Sequence, residues 1–499
     1  MTDRPSAQRL TPAVALFFFT LGFALYAFAP NEYSRGYCVV LLAVFLASTA
    51  WFIRKSLFGN YFNFHVLFII GFFLVHFVYP VFLYPTRPFL FKVFERGFDP
   101  SLITVSTALA LLGMSAYIVG AVFAGKIKNA SPGGWDGGRY RLLETPLFVL
   151  SLVLFALFVF FSRGNIARGV FNAYSAASEY LLTAFQGIFP LALIVSFVDR
   201  LRHDEGRWRS LFRIFRPRLV AFSALAVFIF LYVGDRGPAI QIVLIYGALF
   251  TTFLRPMKLT VFAVLIAAGL YLMMFVSQAR TEYDDTREDE SNIVEYYKRG
   301  AERFVPESVF DLGRDMIVNN RNLYLAVSYV QNNERTLGRT FLTQILGIVP
   351  GLQSVYVTLF HVDLQDISSG QLLTYHEYEG GARGAGLGNT IIADVDISFG
   401  AAGVIVMMML FGYANMKFQR GAIDKVNLYF LIAYVVSVSF SIYYPRSSYF
   451  TALRGILWPV AIVWLFDHSV QKTAGRKIRP GERLATGNGA APREERETP

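Results

Sequence analysis

Arginines at a break between two apolar runs could bind an anionic ligand. The runs at 219–233 and 239–254 are short and are joined by Gly-Asp-Arg-Gly-Pro at 234–238. In a membrane, such non-helical backbone is tolerated only where it lines a cavity or is buried in protein. We therefore expect Arg236 to face a polar pocket. The alternative is an ordinary loop in which Asp235 and Arg236 pair with each other.

Further arginines lie near the end of the chain and in its longest loop. Arg446 follows Pro445 in a polar hairpin, and Arg454 lies inside the apolar run that comes next. An arginine within a membrane costs at least about 2.5 kcal/mol unless it is paired or hydrated, so Arg454 is a functional candidate, with a helix-to-helix salt bridge as the alternative. Guanidinium groups suit phosphate bidentately. The predicted diphosphate- and glycan-binding set is completed by three arginines of the long loop, Arg321, Arg339 and Arg383.

A glycine-rich stretch precedes two carboxylates. Residues 380–388 hold five glycines and Arg383, an arrangement that allows close backbone approach to a bulky anion, although flexibility alone would also explain it. Asp394 and Asp396 follow, where a helix begins. Their negative charges could interact favourably with the positive partial charge of the helix N-terminus. Alternatively, one of them could accept a proton as a general base. We predict Asp394 as the strongest base, ahead of Glu377, His376 and Asp396.

The sequence contains no motif for nucleotide hydrolysis, disulfide formation or metal binding. There is no GxxxxGK[ST] phosphate loop, which argues against a nucleotide-driven pump. The single cysteine, Cys38, permits neither an intramolecular disulfide nor a zinc set. His361, Asp363 and Asp366 share one stretch, but the acids have the pattern of solvated loop residues. We therefore predict no metal and no cofactor.

The composition predicts an all-α polytopic membrane protein. Of the 499 residues, 55% are hydrophobic and only 16% are charged, against roughly 25% charged in soluble domains. A helical span needs about 20 apolar residues. Twelve runs qualify approximately, at 11–29, 37–53, 62–84, 102–124, 145–162, 180–198, 219–233, 239–254, 259–277, 397–416, 426–443 and 449–467. The first run resembles a signal peptide but is longer than a usual one, and we interpret it as a span.

The distribution of basic residues predicts the orientation. With the N-terminus inside, 27 of the 46 Lys and Arg residues fall on cytoplasmic segments and eight fall on the short outer loops. Because cytoplasmic loops retain positive charge, both termini are expected in the cytoplasm. The tail at 469–499 has too little apolar content to fold and is predicted to be disordered.

One long loop, 278–396, then lies outside, between helices 1–9 (1–277) and helices 10–12 (397–468). It holds 18 acids and 10 bases, so its charge is −8, and the net +11 leaves +19 for the rest of the chain. The basic excess therefore reflects attraction to the inner leaflet of the lipid bilayer and requires no nucleic acid. Within the loop, 340–360 is apolar but interrupted by Pro350-Gly351, and we interpret it as an interfacial or re-entrant element.

The order of these parts resembles the Wzy-type O-antigen or oligosaccharide-repeat-unit polymerases of bacterial inner membranes. The most similar stretch runs from Gly386-Leu387-Gly388 through Ile392-Ala393-Asp394 to Phe399-Gly400, like that family's Gly-x-Gly, Ile-Ala-acid and Phe-Gly pattern. The hairpin at 235–237 is similar to its Ser-Arg-Gly turn, and the segments at 338–341 and 60–63 also resemble it. Where the family often has an aromatic residue two positions after the acid, this chain has Asp396.

The resemblance implies a GT-C-like glycosyltransferase architecture with one large periplasmic loop. It implies transfer of a glycan from undecaprenyl diphosphate to the terminal sugar of another undecaprenyl-diphosphate-linked repeat unit, with arginines carrying the diphosphate charge and a carboxylate taking the proton. A chain-length regulator and a flippase are further implied partners.

Two alternatives remain open from the sequence. O-antigen ligases share the general plan, so motifs do not separate a polymerase from a ligase. A flippase or transporter of the same lipid-linked glycan would also need an arginine-lined cavity. Breaks in only one half of the chain argue against alternating access, which usually shows paired breaks in both halves.

Overall fold

The computed structural model describes residues 5–56, 60–95, 98–125, 140–168, 175–203, 214–285, 308–378, 386–424 and 427–477, all helical or irregular. The α-helices are α1 (Pro5–Ala27), α2 (Arg35–Ser56), α3 (Phe64–His76), α4 (Leu102–Phe123), α5 (Arg141–Phe161), α6 (Arg163–Arg168), α7 (Ala176–His203), α8 (Pro217–Val233), α9 (Arg236–Phe253), α10 (Leu259–Asp285), α11 (Arg314–Ile317), α12 (Asn320–Asn332), α13 (Arg339–Leu346), α14 (Leu352–Phe360), α15 (Ser369–Glu377), α16 (Ile391–Ile423), α17 (Leu428–Phe440) and α18 (Leu453–Lys477). A π-turn spans Tyr79–Leu83, and 3₁₀ turns span Lys92–Phe94, Val309–Gly313, Leu364–Ile367 and Tyr444–Arg446.

The apolar runs form helices in the predicted order. Six helices are long and apolar enough to cross a membrane, in α2, α4, α5, α7, α16 and α18. Shorter apolar helices occur within α1, α3, α8, α10 and α17. Together with α9, these overlap all twelve predicted spans. The prediction of an all-helical, polytopic membrane protein is confirmed.

Helices α4 and α16 form the centre of the bundle through small residues. A Cβ added at Gly120 would lie 1.8 Å from the carbonyl oxygen of Met409, and one at Gly412 would lie 2.0 Å from that of Tyr117. Such close backbone contact is typical of membrane helices, where packing rather than hydrophobicity drives association. The glycines therefore fix the position of α16, which begins beside the candidate site.

Polar contacts join helix ends at one side of the bundle. Glu144, at the start of α5, accepts hydrogen bonds from Arg218 (3.1 Å) and pairs with Arg216 at the start of α8. Tyr429, at the start of α17, donates to Asp467 near the end of α18 over 2.7 Å. These are ends that the charge distribution predicts to be cytoplasmic, so the predicted alternation of the helices agrees with their packing.

The segment 340–360 forms two short helices. Helix α13 has eight residues and α14 has nine, or about 12–14 Å each at 1.5 Å per residue, against roughly 30 Å for a bilayer core. Neither helix can cross. On α14, Val355, Leu359 and Phe360 are exposed, as expected of an interfacial element.

Helix α16 begins earlier than the apolar run suggested. It starts at Ile391 rather than at 397, because Thr390 caps it by accepting a hydrogen bond from the Ala393 amide over 3.1 Å. The helix is broken at Gly400, where φ is 68° and ψ is −169°. The two carboxylates Asp394 and Asp396 therefore lie within the first turns of α16.

Candidate functional site

The break between α8 and α9 places Arg236. Gly234 ends α8 in the left-handed region, with φ of 82°, and Asp235 is extended before α9 begins. Pro238 suits the first helical turn, where its missing N–H is unneeded. The Arg236 side chain, 12% exposed, donates to the carbonyl oxygen of Met273 over 2.9 Å and forms an ion pair with Asp315.

Asp315 also contacts the segment between α17 and α18. Its backbone carbonyl oxygen accepts a hydrogen bond from Nη1 of Arg446 over 2.8 Å. The Arg446 guanidinium lies over the Tyr443 ring, 5.0 Å from its centroid. We call Arg236, Asp315 and Arg446 the arginine junction, in which one aspartate holds two arginines from distant segments.

An apolar groove reaches the arginine junction from one side. It is a cavity of about 250 Å³ between α9, α10 and the residues around 312–316. Its walls are mainly Leu, Ile, Val and Phe side chains, with the three junction residues at one part of the lining. Leu265 and Leu272 line it and are about half exposed (49% and 47%). The groove therefore opens at the exposed lateral surface of the helix bundle.

A polar cleft of about 660 Å³ shares Asp315, Tyr443 and Arg446 with the apolar groove. The other groups in its lining are mostly amides, hydroxyls and glycines. They include Gln241, Asn319, Asn322, Tyr378, Gly386, Gly388, Ser447 and Thr451. The apolar groove, the arginine junction and the polar cleft therefore match, in that order, the parts of a ligand with an apolar tail, an anionic group and a polyhydroxyl part.

Asp394 lies away from the lining of both cavities. Its side chain is completely buried, and it accepts hydrogen bonds from the backbone amide of Tyr449 (2.8 Å), from Nε2 of Gln344 (3.2 Å) and from the hydroxyl of Ser369. These donors come from the last hairpin, from α13 and from α15. The carboxylate thus joins three elements to α16, an arrangement that favours a positioning role. General-base catalysis by Asp394 stays a prediction.

Asp396, two residues further along, is also buried. The Arg335 guanidinium lies close enough to interact with it electrostatically and occupies the space beside Gly400, where a Cβ would lie 2.7 Å from the Arg335 Cζ. Asp396 is likewise absent from the lining of both cavities.

Arg321, Glu377 and the adjacent His376 form a neighbouring cluster in which Arg321 is buried and His376 is exposed. Arg321 is fully buried at the start of α12 and forms an ion pair with Glu377 at the end of α15. The His376 ring meets Tyr329 edge-on at 5.4 Å. The cluster lies beside the polar cleft through Asn322 and Tyr378, but these three residues do not line it. Arg383 lies outside the described residues.

The remaining two predicted arginines lie elsewhere. Arg339 is exposed and pairs with Asp366 over 3.3 Å. Arg454 donates to the carbonyl oxygen of Gly347, and Trp458, one turn further along α18, donates to that of Ile348 over 2.8 Å. Arg454 thus anchors the end of α13, in keeping with the structural alternative of an arginine that joins elements.

The sequence did not point to Asp315. It lies among the 18 acids of the long loop without a motif that distinguishes it. Its neighbours Asn319 and Asn322, one and two turns further along, share the cleft with it, so only an acid-x₃-Asn-x₂-Asn spacing could have marked this face.

Comparison with known proteins points to one family. The family model described as O-antigen polysaccharide polymerase Wzy matches residues 219–473, about half of the chain. This range contains the whole arginine junction and runs from α8 to α18. Searches of curated proteins and of solved structures gave no match.

Proposed function

This chain belongs to the O-antigen polysaccharide polymerase Wzy family, membrane glycosyltransferases that polymerise lipid-linked repeat units, and we propose that its lipid-linked donor binds across the arginine junction. The polyprenyl chain of the donor lies in the apolar groove, and its diphosphate contacts Arg236 and Arg446. The supporting observation is that Asp315, Tyr443 and Arg446 line both the apolar groove and the polar cleft.

The surfaces fit this donor in chemical terms. Leu265 and Leu272 open the groove toward the lipid side of the bundle, so a prenyl chain can enter without leaving an apolar environment. The N-terminus of α9 adds its positive partial charge beside Arg236. Arginine forks then carry the charge of a diphosphate without a metal ion, which is the basis of our proposal that the transfer is metal-independent.

In the proposed transfer, the glycan moves from undecaprenyl diphosphate to a hydroxyl of the terminal sugar of a second lipid-linked repeat unit. The bond between the first sugar carbon and the diphosphate oxygen breaks, and a bond to the acceptor oxygen forms. The leaving lipid diphosphate takes the electron pair, and Arg236 and Arg446 stabilise its developing charge. Cleavage of the bond between the first sugar and the diphosphate of the donor supplies the energy.

The acceptor hydroxyl must lose a proton, and we propose that Asp315 receives it. Among the described residues, Asp315 is the one carboxylate in the lining of both cavities. In the structure it is paired with Arg236. A bound diphosphate competes with Asp315 for the Arg236 guanidinium and releases the Asp315 carboxylate. The carboxylate therefore becomes able to accept a proton only when the donor is bound.

A defined substrate tests the proposal. Purified protein is incubated with a polyprenyl-diphosphate oligosaccharide, with and without a chelator. A ladder of products that survives chelation supports the proposed transfer. A single addition to a different lipid acceptor would identify a ligase, and a ladder that depends on added metal would contradict metal independence.

We further propose twelve spans in the bacterial inner membrane with both termini cytoplasmic and the loop 278–396 periplasmic. Supporting observations are the 27 basic residues on the predicted inner segments and the two short helices at 340–360. Reporter fusions at residues 130, 208 and 480 should report inside, and one at 330 outside. An outside signal at 480 would overturn the twelve-span topology. A flippase that supplies the donor and a chain-length regulator are the proposed partners.

A further inference from the structure

We infer that the polar cleft binds the sugars attached directly to the donor diphosphate and that Gln241 helps to select them. This inference deepens the proposed function and depends on the donor diphosphate lying at the arginine junction. The cleft begins at Asp315 and Arg446, where the diphosphate would end. The next groups along the ligand must therefore enter the cleft.

Helix α9 contributes residues to both cavities. Arg236, Ile240 and Val243 lie on the face that lines the apolar groove, whereas Gly237 and Gln241 line the polar cleft. Arg236 and Ile240 lie four positions apart, as do Gly237 and Gln241. Residues four apart share a helix face, so each of these two pairs lines one cavity. One helix thus presents an apolar surface to the lipid and a polar surface to whatever is attached to its head group.

The cleft has the chemistry of a site for a polyhydroxyl ligand. Apart from Asp315 and Arg446, its lining is uncharged. Asn319 and Asn322 are held in place: Nδ2 of Asn319 donates to the carbonyl oxygen of Asp315 over 2.7 Å, and Nδ2 of Asn322 to that of Leu387 over 2.6 Å. These bonds fix the wall of the cleft and hold the Gly386–Gly388 segment against it.

Gln241 differs from those two amides. It lines the cleft and is half-buried, and its side-chain amide has no hydrogen bond to another described residue. An amide offers both a donor and an acceptor, which matches a sugar hydroxyl. Sites built to hydrogen-bond a substrate hydroxyl reject analogues that lack it much more strongly than apolar pockets do. Gln241 is therefore the specificity residue for these sugars.

A blocking variant separates this inference from the donor site. A Cβ at Gly386 meets no described atom within 4 Å, and its φ is not in the left-handed region. Because Gly386 lines the cleft and its Cβ position is open, the Phe ring of Gly386→Phe is expected to occupy part of the cleft. Binding of two probes to the protein in lipid nanodiscs is compared. One is undecaprenyl diphosphate without sugar. The other is the lipid-linked repeat unit, isolated from bacteria in which the gene for this protein has been deleted.

We expect Gly386→Phe to weaken binding of the sugar-bearing probe by about tenfold and Gln241→Leu by about fivefold, as for the loss of one or a few hydrogen bonds. Binding of the bare lipid diphosphate should change less than twofold. The control, Gly36→Phe, adds the same side chain at an exposed helix position with open space and should bind both probes normally.

Unchanged binding of the sugar-bearing probe in both variants would overturn the inference, as would an equal loss for the two probes. The proposed donor site fails separately, if Arg446→Ala leaves binding of the bare lipid diphosphate intact. A loss confined to the sugar-bearing probe in Gly386→Phe and Gln241→Leu would still support the cleft as a sugar site in that case.

Discussion

The apolar groove and the polar cleft share three residues but differ in every other part of their linings. Apart from Arg236, the groove residues on α9 and α10 are apolar or glycine and continue to the exposed surface of the bundle. The cleft is lined mostly by amides, hydroxyls and glycines, and hydrogen bonds hold Asn319 and Asn322 in place. The difference teaches that the arginine junction lies at the boundary between a lipid-like and a water-like environment. A lipid diphosphate is the kind of group that needs such a boundary.

The largest expected effect is at Asp315, the carboxylate among the three residues that both cavities share. Asp315→Asn removes the proposed base and the ion pair that orients Arg236, and it should lower the rate of polymer formation by about 100-fold to 10,000-fold. Product ladders from equal amounts of correctly inserted protein measure the rate. A variant that retains more than a tenth of the activity would show that the base lies elsewhere, and Glu377→Gln would then be the next variant to assay.

Loss of either arginine should have the next largest effect. Arg236→Ala or Arg446→Ala should lower polymer formation by about 100-fold to 1,000-fold, as for removal of one group that stabilises developing negative charge. Arg236→Lys should also lose much of the activity, because the planar fork is lost. Titration with undecaprenyl diphosphate reports binding.

The control for these two variants is Arg163→Ala. Arg163 lies beyond the end of α5, over the Phe160 ring, and outside both cavities, so it should behave as wild type. Normal polymer from Arg236→Ala would remove the junction as the diphosphate site.

A side chain placed in the apolar groove should affect both kinds of ligand together. Gly269 lines the groove, and a Cβ there meets no described atom within 4 Å. Gly269→Phe should therefore fit the helix but fill the space of the prenyl chain, with a loss of about tenfold in binding of bare and sugar-bearing lipid diphosphate alike, comparable to about 1.4 kcal/mol. If only the sugar-bearing ligand were affected, the roles assigned to groove and cleft would have to be exchanged.

The smallest effect on chemistry is expected away from both cavities, at Asp394. In Asp394→Asn, an NH₂ group replaces one of the two carboxylate oxygens that accept hydrogen bonds from Tyr449, Gln344 and Ser369. Because one buried donor is then unsatisfied, the free energy of unfolding should fall by about 1–3 kcal/mol, while the folded fraction keeps polymer formation within a few-fold. Thermal unfolding in detergent and the product ladder are measured on the same sample. Abolished polymer with unchanged thermal stability would instead support Asp394 as the general base.

The sequence alone determined the membrane class, the order of the apolar helices and the break that carries Arg236. These depend on local signals: runs of apolar residues, Gly and Pro between them, and basic residues beside them. The prediction that Arg236 would face a polar pocket followed from such a signal, whereas the structure places Arg236 in the lining of the apolar groove, paired with Asp315. The family was also accessible, through the short pattern from Gly386 to Gly400.

Only the tertiary structure decided which residues meet. Asp315 is 79 positions from Arg236 and 131 from Arg446, and no local pattern links them. Arg339 and Arg454 have the same residue type as the junction arginines, yet they lie against Asp366 and the end of α13. Asp394 had the expected position at a helix start, but burial and three donors from other elements determined its surroundings. Apolar patterning fixes which segments become helices, whereas the packing of those helices and of the outer loop determines which charged groups share a cavity.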